Sequence, residues 1–510
     1  MSSCKSCTFC IQSESIVCPS CGKGFCCEEH AVIHRLPRDG SCIPIDIKED
    51  DIKGRHIVAS RDINPGEVVF VDRPVVVGPN HEVTPLCITC SEKVKPNKLC
   101  SSCGYPLCDM EKCSLVHASN KECTVLSSVK DLCTEFIDGE INNQNWFVVL
   151  PMRLCLLKET NPKAYALIEQ LMDHSDKVIQ TDRWKDIDHH IVKRLIGYFT
   201  QEEIIKVSGI LDINAYEIRI NIRGLLPISS LLNHGCLPNV EHIYSSKKPY
   251  ENICRATLPI HKGEDILSLY INPFMSKINR QKSLRTQWHF DCCCSRCVSE
   301  GKEFLDHVKC PSCYGFGAPI HNTIPDQWKC TNCSETFGGL DKIHYCEKEL
   351  QEIIRSDRYN INRYLDVYKV TKNILHPQHE LNIKLYRWLM PIYCREETQG
   401  LYTLSDLELK KEMIDHLLAS INVIIPGLNR QRGKVLFELV DVDYKLLNAD
   451  CQRGSVQDLV SISKRVREFL KLCKEIECIF KIGELSNFER GIQEVNNSKI
   501  KYFNDILKTL

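Results

Sequence analysis

Two stretches hold residue types whose spacing could do chemistry. One runs from Gly224 to Val240, GLLPISSLLNHGCLPNV; the other runs from Gly263 to Cys297, GEDILSLYIN…QWHFDCCCSRC. The second ends in Cys292, Cys294 and Cys297, three thiolates spaced as in a tetrahedral zinc site that lacks its fourth ligand. Cys236 is the natural candidate to close it, which would bring the neighbouring Asn233-His234 pair against the strand-like apolar run ending at Tyr270. An amide, an imidazole and a phenol would then share one niche. His234 could instead be read as a general base or a metal ligand, but Cys236 already accounts for a ligand at this point. No obvious carboxylate pair and no Ser-His-Asp set stands out.

Further ligand series flank these stretches. Cys7, Cys10, Cys18, Cys21, Cys26, His30, His34 and Cys42 suffice for two tetrahedral ions in a segment too short for much apolar core, so metal would supply most of its folding energy. His30 and His34 lie four apart, on one face of a helical turn. Cys4 and Cys27 are spares, although Cys4 could replace Cys7 by a slip of register. A second series, Cys87, Cys90, Cys100, Cys103, Cys108, Cys113, His117 and Cys123, again counts to two ions. Cys310-x2-Cys313 and Cys330-x2-Cys333, across a Gly/Pro/Asn-rich loop, read as a zinc ribbon. Four ligands per ion gives about six zinc ions, leaving eleven of the 32 cysteines as small core or surface residues.

The chain that must position these residues has 510 of them, enough for three or four compact units. Lys+Arg (65) and Asp+Glu (66) balance, so no basic field draws the protein to nucleic acid or to an anionic membrane. Neither finger carries the dense basic patch with interleaved aromatics that direct nucleic-acid binding requires. Met1 leads straight into SSCKSC without a signal peptide, and no apolar run approaches the ~18 residues of a membrane span, so zinc in a reducing intracellular compartment is expected. Gly54 to Pro79 alternates β-branched and polar residues around Pro65-Gly66, which predicts a hairpin. Residues 124–210 and those from Asp341 onward have helical periodicity, the latter punctuated by Pro377, Pro391 and Pro426-Gly427. His189 and His190, adjacent on a helix, point about 100° apart and read as solvated or capping residues.

The Asn-His-x-Cys-x-Pro-Asn segment, the strand tyrosine and the cysteine-rich tail, in that order, resemble the SET domain of protein-lysine methyltransferases. With the interrupting finger, the chain is identified as a member of the SET-and-MYND (SMYD) family, arthropod-type. The resemblance implies an α+β multidomain chain. An N-terminal MYND-like finger (1–43) is followed by the first SET strands (44–86), a MYND finger (87–123) and a helical insert (124–210). The SET core (211–291), a post-SET site with zinc ribbon (292–340) and a helical, tetratricopeptide-like region (341–510) complete it. In MYND fingers, ligand pairs one and three share one zinc while pairs two and four share the other.

The resemblance also implies an S-adenosylmethionine-dependent protein-lysine N-methyltransferase, with a catalytically weak adaptor or transcriptional corepressor as the alternative. Tyr270 matches the residue that orients the lysine amine. Arg55, His56, Asn214, Ser230, Asn233, His234, Tyr270 and Phe290 match cofactor contacts, with Phe290 stacking on the adenine; Tyr216 and Trp288 match the walls of the lysine channel. Three departures are present. His56 stands where a Gly-x-Gly turn has its second glycine, Gly235 replaces the usual serine, and Trp288 replaces a tyrosine with an indole that donates but cannot accept a hydrogen bond. The implied setting is a monomer of nucleus and cytoplasm acting on a protein substrate, histone or not, whose fingers take peptide or protein partners.

Overall fold

The computed structural model describes residues 7–80, 86–94, 98–119, 121–129, 136–137, 140–141, 143–245, 250–299, 303–320, 327–338, 341–398, 403–452, 458–481 and 485–509. Cys4 lies outside them. Strand Gly54–Ala59 pairs antiparallel with Ile45–Asp50, with Asp50 opposite Gly54. This corrects the hairpin expected around Pro65-Gly66. The Asp50 carboxylate accepts from the N–H groups of Ile52 (2.9 Å) and Lys53 (2.7 Å), and Gly54 takes φ +62°, so a tight turn closes the upstream hairpin first. The downstream strand, Val68–Asp72, joins another sheet in which Asn252–Ala256 lies between it and Val240–Tyr244.

A third sheet sets Ile222–Leu225 between Val76–Pro79 and Ala215–Arg219. Asn233–His234 then runs parallel to Leu267–Ser268. Parallel neighbours need a long connection, and here the Val240–Tyr244/Asn252–Ala256 hairpin supplies it. Buried Asn239 locks the crossing: its side-chain oxygen accepts from Leu267 N (2.8 Å) and its amide donates to the Asp265 carbonyl (2.8 Å).

The N-terminal finger is not the coreless module its length suggested. Phe9 and Phe25 are buried in one cluster with Ile43, Ile57 and Ile63, so the finger shares the core of the central strands. In the insert, Phe136–Ile137 pairs with Glu140–Ile141, and the helices Val149–Thr160 and Gln201–Asn214 are its longest. Gln201–Asn214 starts from a capping box between Thr200 and Glu203. His189 and His190 sit in a π-type turn, with His190 stacked on Phe147 at 5.3 Å.

Four short strands, Val308–Lys309, Phe316–Pro319, Gln327–Cys330 and Thr336–Gly338, form an antiparallel ribbon in chain order. Beyond it lie the helices Asp341–Ser356, Ile361–Ile374, Glu380–Thr398, Leu404–Ile424, Arg430–Gln452, Leu459–Phe480 and Asn487–Thr509. Each packs chiefly on the one before and the one after. Pro391, expected to end a helix, lies inside Glu380–Thr398. Buried Leu389, Ile392 and Tyr393 around it anchor that helix in the helical core, and packing overrides the lost hydrogen bond.

The helical array is fastened to the strands by charge and backbone. Arg255, fully buried in its strand, donates to the Ile479 carbonyl (2.6 Å) and the Leu428 carbonyl (3.3 Å) and pairs with Glu241. Glu241 also accepts from Arg430 N (3.0 Å), and Arg430 pairs with buried Glu489 (2.8 Å). Gly427 has φ +87°, and a Cβ there would stand 2.1 Å from the Thr257 carbonyl oxygen. Gly427→Ala should therefore lose about 1–3 kcal/mol from backbone strain alone, with the clash adding to it. Calorimetric melts should show the unfolding midpoint fall, and an unchanged midpoint would mean that this contact does not hold the two parts together.

Candidate active site

The predicted metal ligands gather in fours. Cys7, Cys10, Cys26 and His30 form one group and Cys18, Cys21, His34 and Cys42 the next; Cys87, Cys90, Cys108 and Cys113 form a third and Cys100, Cys103, His117 and Cys123 a fourth. Cys236, Cys292, Cys294 and Cys297 make the cage anticipated beside Asn233-His234. Within each group the donor atoms lie within 4.8 Å of one another. In the ribbon, Cys310 Sγ is 3.7 Å from Cys333 Sγ and Cys313 Sγ is 3.4 Å from Cys330 Sγ.

These separations test what the groups could hold. Zn–S bonds of about 2.3 Å in a tetrahedron place sulfurs about 3.8 Å apart, whereas a disulfide brings them to about 2.05 Å. Cys236 Sγ lies 3.5 Å from Cys297 and 3.9 Å from Cys292, so the donor sets fit zinc. In both fingers pairs one and three share one group and pairs two and four the other. His30 presents Nδ1 to the sulfurs of Cys7 (3.4 Å), Cys10 (3.7 Å) and Cys26 (3.3 Å), while its Nε2 faces the Lys163 carbonyl at 3.0 Å. That outer hydrogen bond fixes the ring for ligation. Cys27 stands aside, its sulfur 3.8 Å from that of Cys26.

Four thiolates outweigh one divalent cation, so the filled cage beside the site would stay anionic. Two buried arginines answer that charge. Arg280 Nη2 lies 3.9 Å from Cys297 Sγ, and Arg296 Nη1 donates to the Cys236 carbonyl (3.1 Å). Both share Glu303, at 2.8 and 2.6 Å, which leaves a positive excess facing the sulfurs. None of these three residues stood out in the sequence.

Within the niche, His234 Nδ1 accepts from the backbone N–H of Tyr270 (3.2 Å), so its proton sits on Nε2, 3.3 Å from Cys236 Sγ. Burial lowers its pKa to about 4, and the ring is a neutral tie between the tyrosine strand and the cage. The Tyr270 hydroxyl donates to the Leu232 carbonyl (2.6 Å), and burial holds its pKa above the ordinary phenol value. Trp288 packs against Tyr270 at 5.3 Å and donates its indole N–H to the Ile213 carbonyl (3.0 Å), so the substituted side chain joins helix Lys277–Trp288 to the end of Gln201–Asn214. Phe290 lies 6.2 Å from the His234 ring. Asn233, Asn214, Ser230, Tyr270, Trp288 and Phe290 are all half-buried.

The other matched residues border this niche. Asn233 Nδ2 donates to the Lys53 carbonyl (3.2 Å), next to Gly54. Asn214 Nδ2 donates to the Met172 and Ile210 carbonyls, both at 2.8 Å, and Ser230 Oγ donates to the Asn214 carbonyl (3.2 Å). Tyr216 donates to the Ser229 carbonyl (2.8 Å), and its pKa is raised by burial and then by the nearby Tyr270. Two tyrosines thus pin opposite ends of the Ser229–Leu231 turn. His56 is buried, its Nδ1 2.9 Å from the Gly54 carbonyl and its Nε2 3.8 and 3.7 Å from Asp50 and Asp265. Arg55 reaches away to the Phe9 carbonyl (3.2 Å) and Gln170 Oε1 (3.0 Å). At Gly235 a Cβ would meet the Leu267 side chain at 2.8 Å, so the position has little room for the usual serine.

One organising residue escaped the sequence reading. Asp72, buried at the end of Val68–Asp72, accepts from Ile228 N (3.0 Å), Ser229 N (2.7 Å) and Ser229 Oγ (2.9 Å), holding the turn that precedes Asn233. The available signal was a carboxylate closing the apolar run VVFVD.

Residues 54–271 match the SET domain family. A chain that seats an Asn-His segment parallel to a tyrosine-bearing strand, over a cysteine cage, is therefore a SET-domain protein. It is 24% identical over 323 residues to SET domain-containing protein SmydA-8, isoform A, of Drosophila melanogaster, covering 60% of this chain and 68% of that one. It is 24% identical over 404 residues to histone-lysine N-methyltransferase ASHR1 of Arabidopsis thaliana (74% and 81% covered), and 32% identical over 140 residues to protein-lysine N-methyltransferase SMYD4 of Homo sapiens (26% and 16%). The chain thus carries a SET domain, and SMYD-type SET-domain proteins stand among its relatives. Among the described residues no helix is long and apolar enough to cross a membrane.

Proposed function

We propose that this protein transfers a methyl group from S-adenosylmethionine to the ε-amine of lysine in a protein substrate. The observation that carries this reading is the state of Tyr270. Its proton is committed to the Leu232 carbonyl, so the phenol oxygen offers only lone pairs to whatever enters beside it. Those lone pairs suit the N–H of an incoming amine and aim the nitrogen's own pair elsewhere. The aromatic surroundings, Trp288, Tyr216 and Phe290, favour the neutral amine over the ammonium form, whose ordinary pKa is near ~10.4.

The residues fit the cofactor on their donor chemistry. The amide nitrogens of Asn233 and Asn214 are taken up by carbonyls, which turns both amide oxygens into available acceptors for an ammonium group. Phe290 supplies a half-buried aromatic face for a base. When bound, S-adenosylmethionine supplies the electrophilic methyl. His234 keeps the Asn233 segment and the Tyr270 strand in register, and His56, folded into its own hairpin, leaves contact near Gly54 to backbone. The Cys/His groups hold zinc in structural roles, about six ions in all, and the domain boundaries drawn from the sequence describe the parts. The fingers serve as protein-interaction surfaces, the C-terminal helices buttress the site as a tetratricopeptide-like array, and the protein acts as a monomer in nucleus and cytoplasm.

Titrating the full-length zinc-loaded protein with S-adenosylmethionine in a calorimeter should give saturable heat and a raised melting midpoint. Labelled methyl should then appear on lysine in histones or in a cell lysate. Absence of both heat and thermal shift would overturn the enzyme reading in favour of a SET-fold adaptor, the role His56 and Trp288 would suit.

A further inference from the structure

The N-terminal finger is joined to the candidate cofactor residues by a short chain of hydrogen bonds. Phe9 lies inside the Cys7-x2-Cys10 knuckle, its side chain buried among the central strands. Its carbonyl accepts from Arg55 Nη2 (3.2 Å), while Nη1 of the same guanidinium donates to Gln170 Oε1 (3.0 Å). Arg55 follows Gly54 directly, and the Lys53 carbonyl within that turn is the acceptor for Asn233 Nδ2 (3.2 Å). On the insert side, Met172, two residues beyond Gln170, accepts from Asn214 Nδ2 (2.8 Å), and the ring of His30 reaches the Lys163 carbonyl (3.0 Å). The finger therefore meets the hairpin beside Asn233 through Arg55 and the insert through Lys163, and Arg55 itself bridges to Gln170 near the Met172 carbonyl that holds Asn214.

We infer that Arg55 is a positioning residue through which the metal-loaded N-terminal finger sets the geometry of the cofactor site, an inference that rests on the function proposed above. A guanidinium is suited to the task because its planar fork donates in two directions at fixed angles. The Phe9 side chain is anchored in the core of the central strands, but the knuckle backbone that aims its carbonyl is shaped by Cys7 and Cys10 sharing an ion. Loss of the ion from the Cys7, Cys10, Cys26 and His30 group turns the Phe9 carbonyl away from Arg55, which loosens Arg55 and then the Lys53-Gly54 turn on which Asn233 rests. In this arrangement the finger is a wall of the cofactor site and not a detachable appendage.

The test compares full-length wild type, Arg55→Ala, Arg55→Lys and Cys10→Ser, each checked for zinc content by mass spectrometry. S-adenosylmethionine affinity is measured by calorimetry, and amide exchange is followed over residues 53–59. Arg55→Ala should retain its zinc yet bind at least about tenfold more weakly, with faster exchange across the turn. KM for S-adenosylmethionine should rise far more than kcat falls. Arg55→Lys, reaching one acceptor and not both, should fall between. Cys10→Ser should lose one ion and reproduce the faster exchange. Wild-type affinity and wild-type exchange in Arg55→Ala would overturn the inference. Should wild type itself take no S-adenosylmethionine, the methyltransferase reading fails, while the exchange comparison still decides whether the finger governs the turn.

Discussion

Tyr270→Phe should lower methyl transfer by on the order of 100-fold or more and leave S-adenosylmethionine affinity within about threefold of wild type. Phenylalanine fills the same space, so the packing against Trp288 and His234, each at 5.3 Å, is retained. The backbone N–H that His234 accepts from is also unchanged. What disappears is one oxygen, together with its bond to the Leu232 carbonyl. If that oxygen aims the amine, its loss affects the bonding step and barely touches the cofactor, so kcat should fall while the calorimetric constant stays. Single-turnover rates with a saturating cofactor separate the two effects, and a rate within about threefold of wild type would remove Tyr270 from its role.

Arg255→Ala is expected to damage stability more than any surface change. It empties a fully buried position that holds the carbonyls of Ile479 and Leu428 and takes from Glu241 its direct ion-pair partner. Removing one partner of a buried ion pair costs about 3–5 kcal/mol, enough to lower an unfolding midpoint by on the order of 10 °C in a unit this size. The strands and the helical array should then melt separately. An apolar replacement of both Arg255 and Glu241 should restore much of the loss, because no charge is left stranded. A single unshifted transition in Arg255→Ala would show that the array is held elsewhere.

How much of this could be seen in the chain beforehand divides along physical lines. The grouping of cysteines and histidines was legible because tetrahedral coordination accepts few spacings, and the structure brings Cys236 to Cys292, Cys294 and Cys297 across more than fifty residues. The Asn233, His234 and Tyr270 stretch was legible by resemblance, and its parallel pairing places those residues side by side. Strand partners were not legible. Val68–Asp72 alternates as a hairpin strand should, yet a tight turn upstream and the Asn252–Ala256 strand downstream competed for the two halves of the expected hairpin. Pro391 misled for a related reason, since local propensity yields to the burial of Ile392 and Tyr393. Asp72, Arg255, Arg280, Arg296 and Glu303 went unseen because a lone charge in a sequence looks like surface until its partner is found in space.

The parallel pairing of Asn233–His234 with Leu267–Ser268 also constrains the route by which the protein is made. Phe9, Arg55, Gln170, Asn214, Asn233 and Tyr270 are strung over some 260 residues of chain, and contacts of such long range form slowly because so much polypeptide must be gathered first. During synthesis the fingers and hairpins can settle early, but the niche stays open until the cysteines near position 297 have left the ribosome and found Cys236. Asn233 and His234 gain their parallel partner only once Leu267–Ser268 has emerged, and the cysteine cage beside them closes later still.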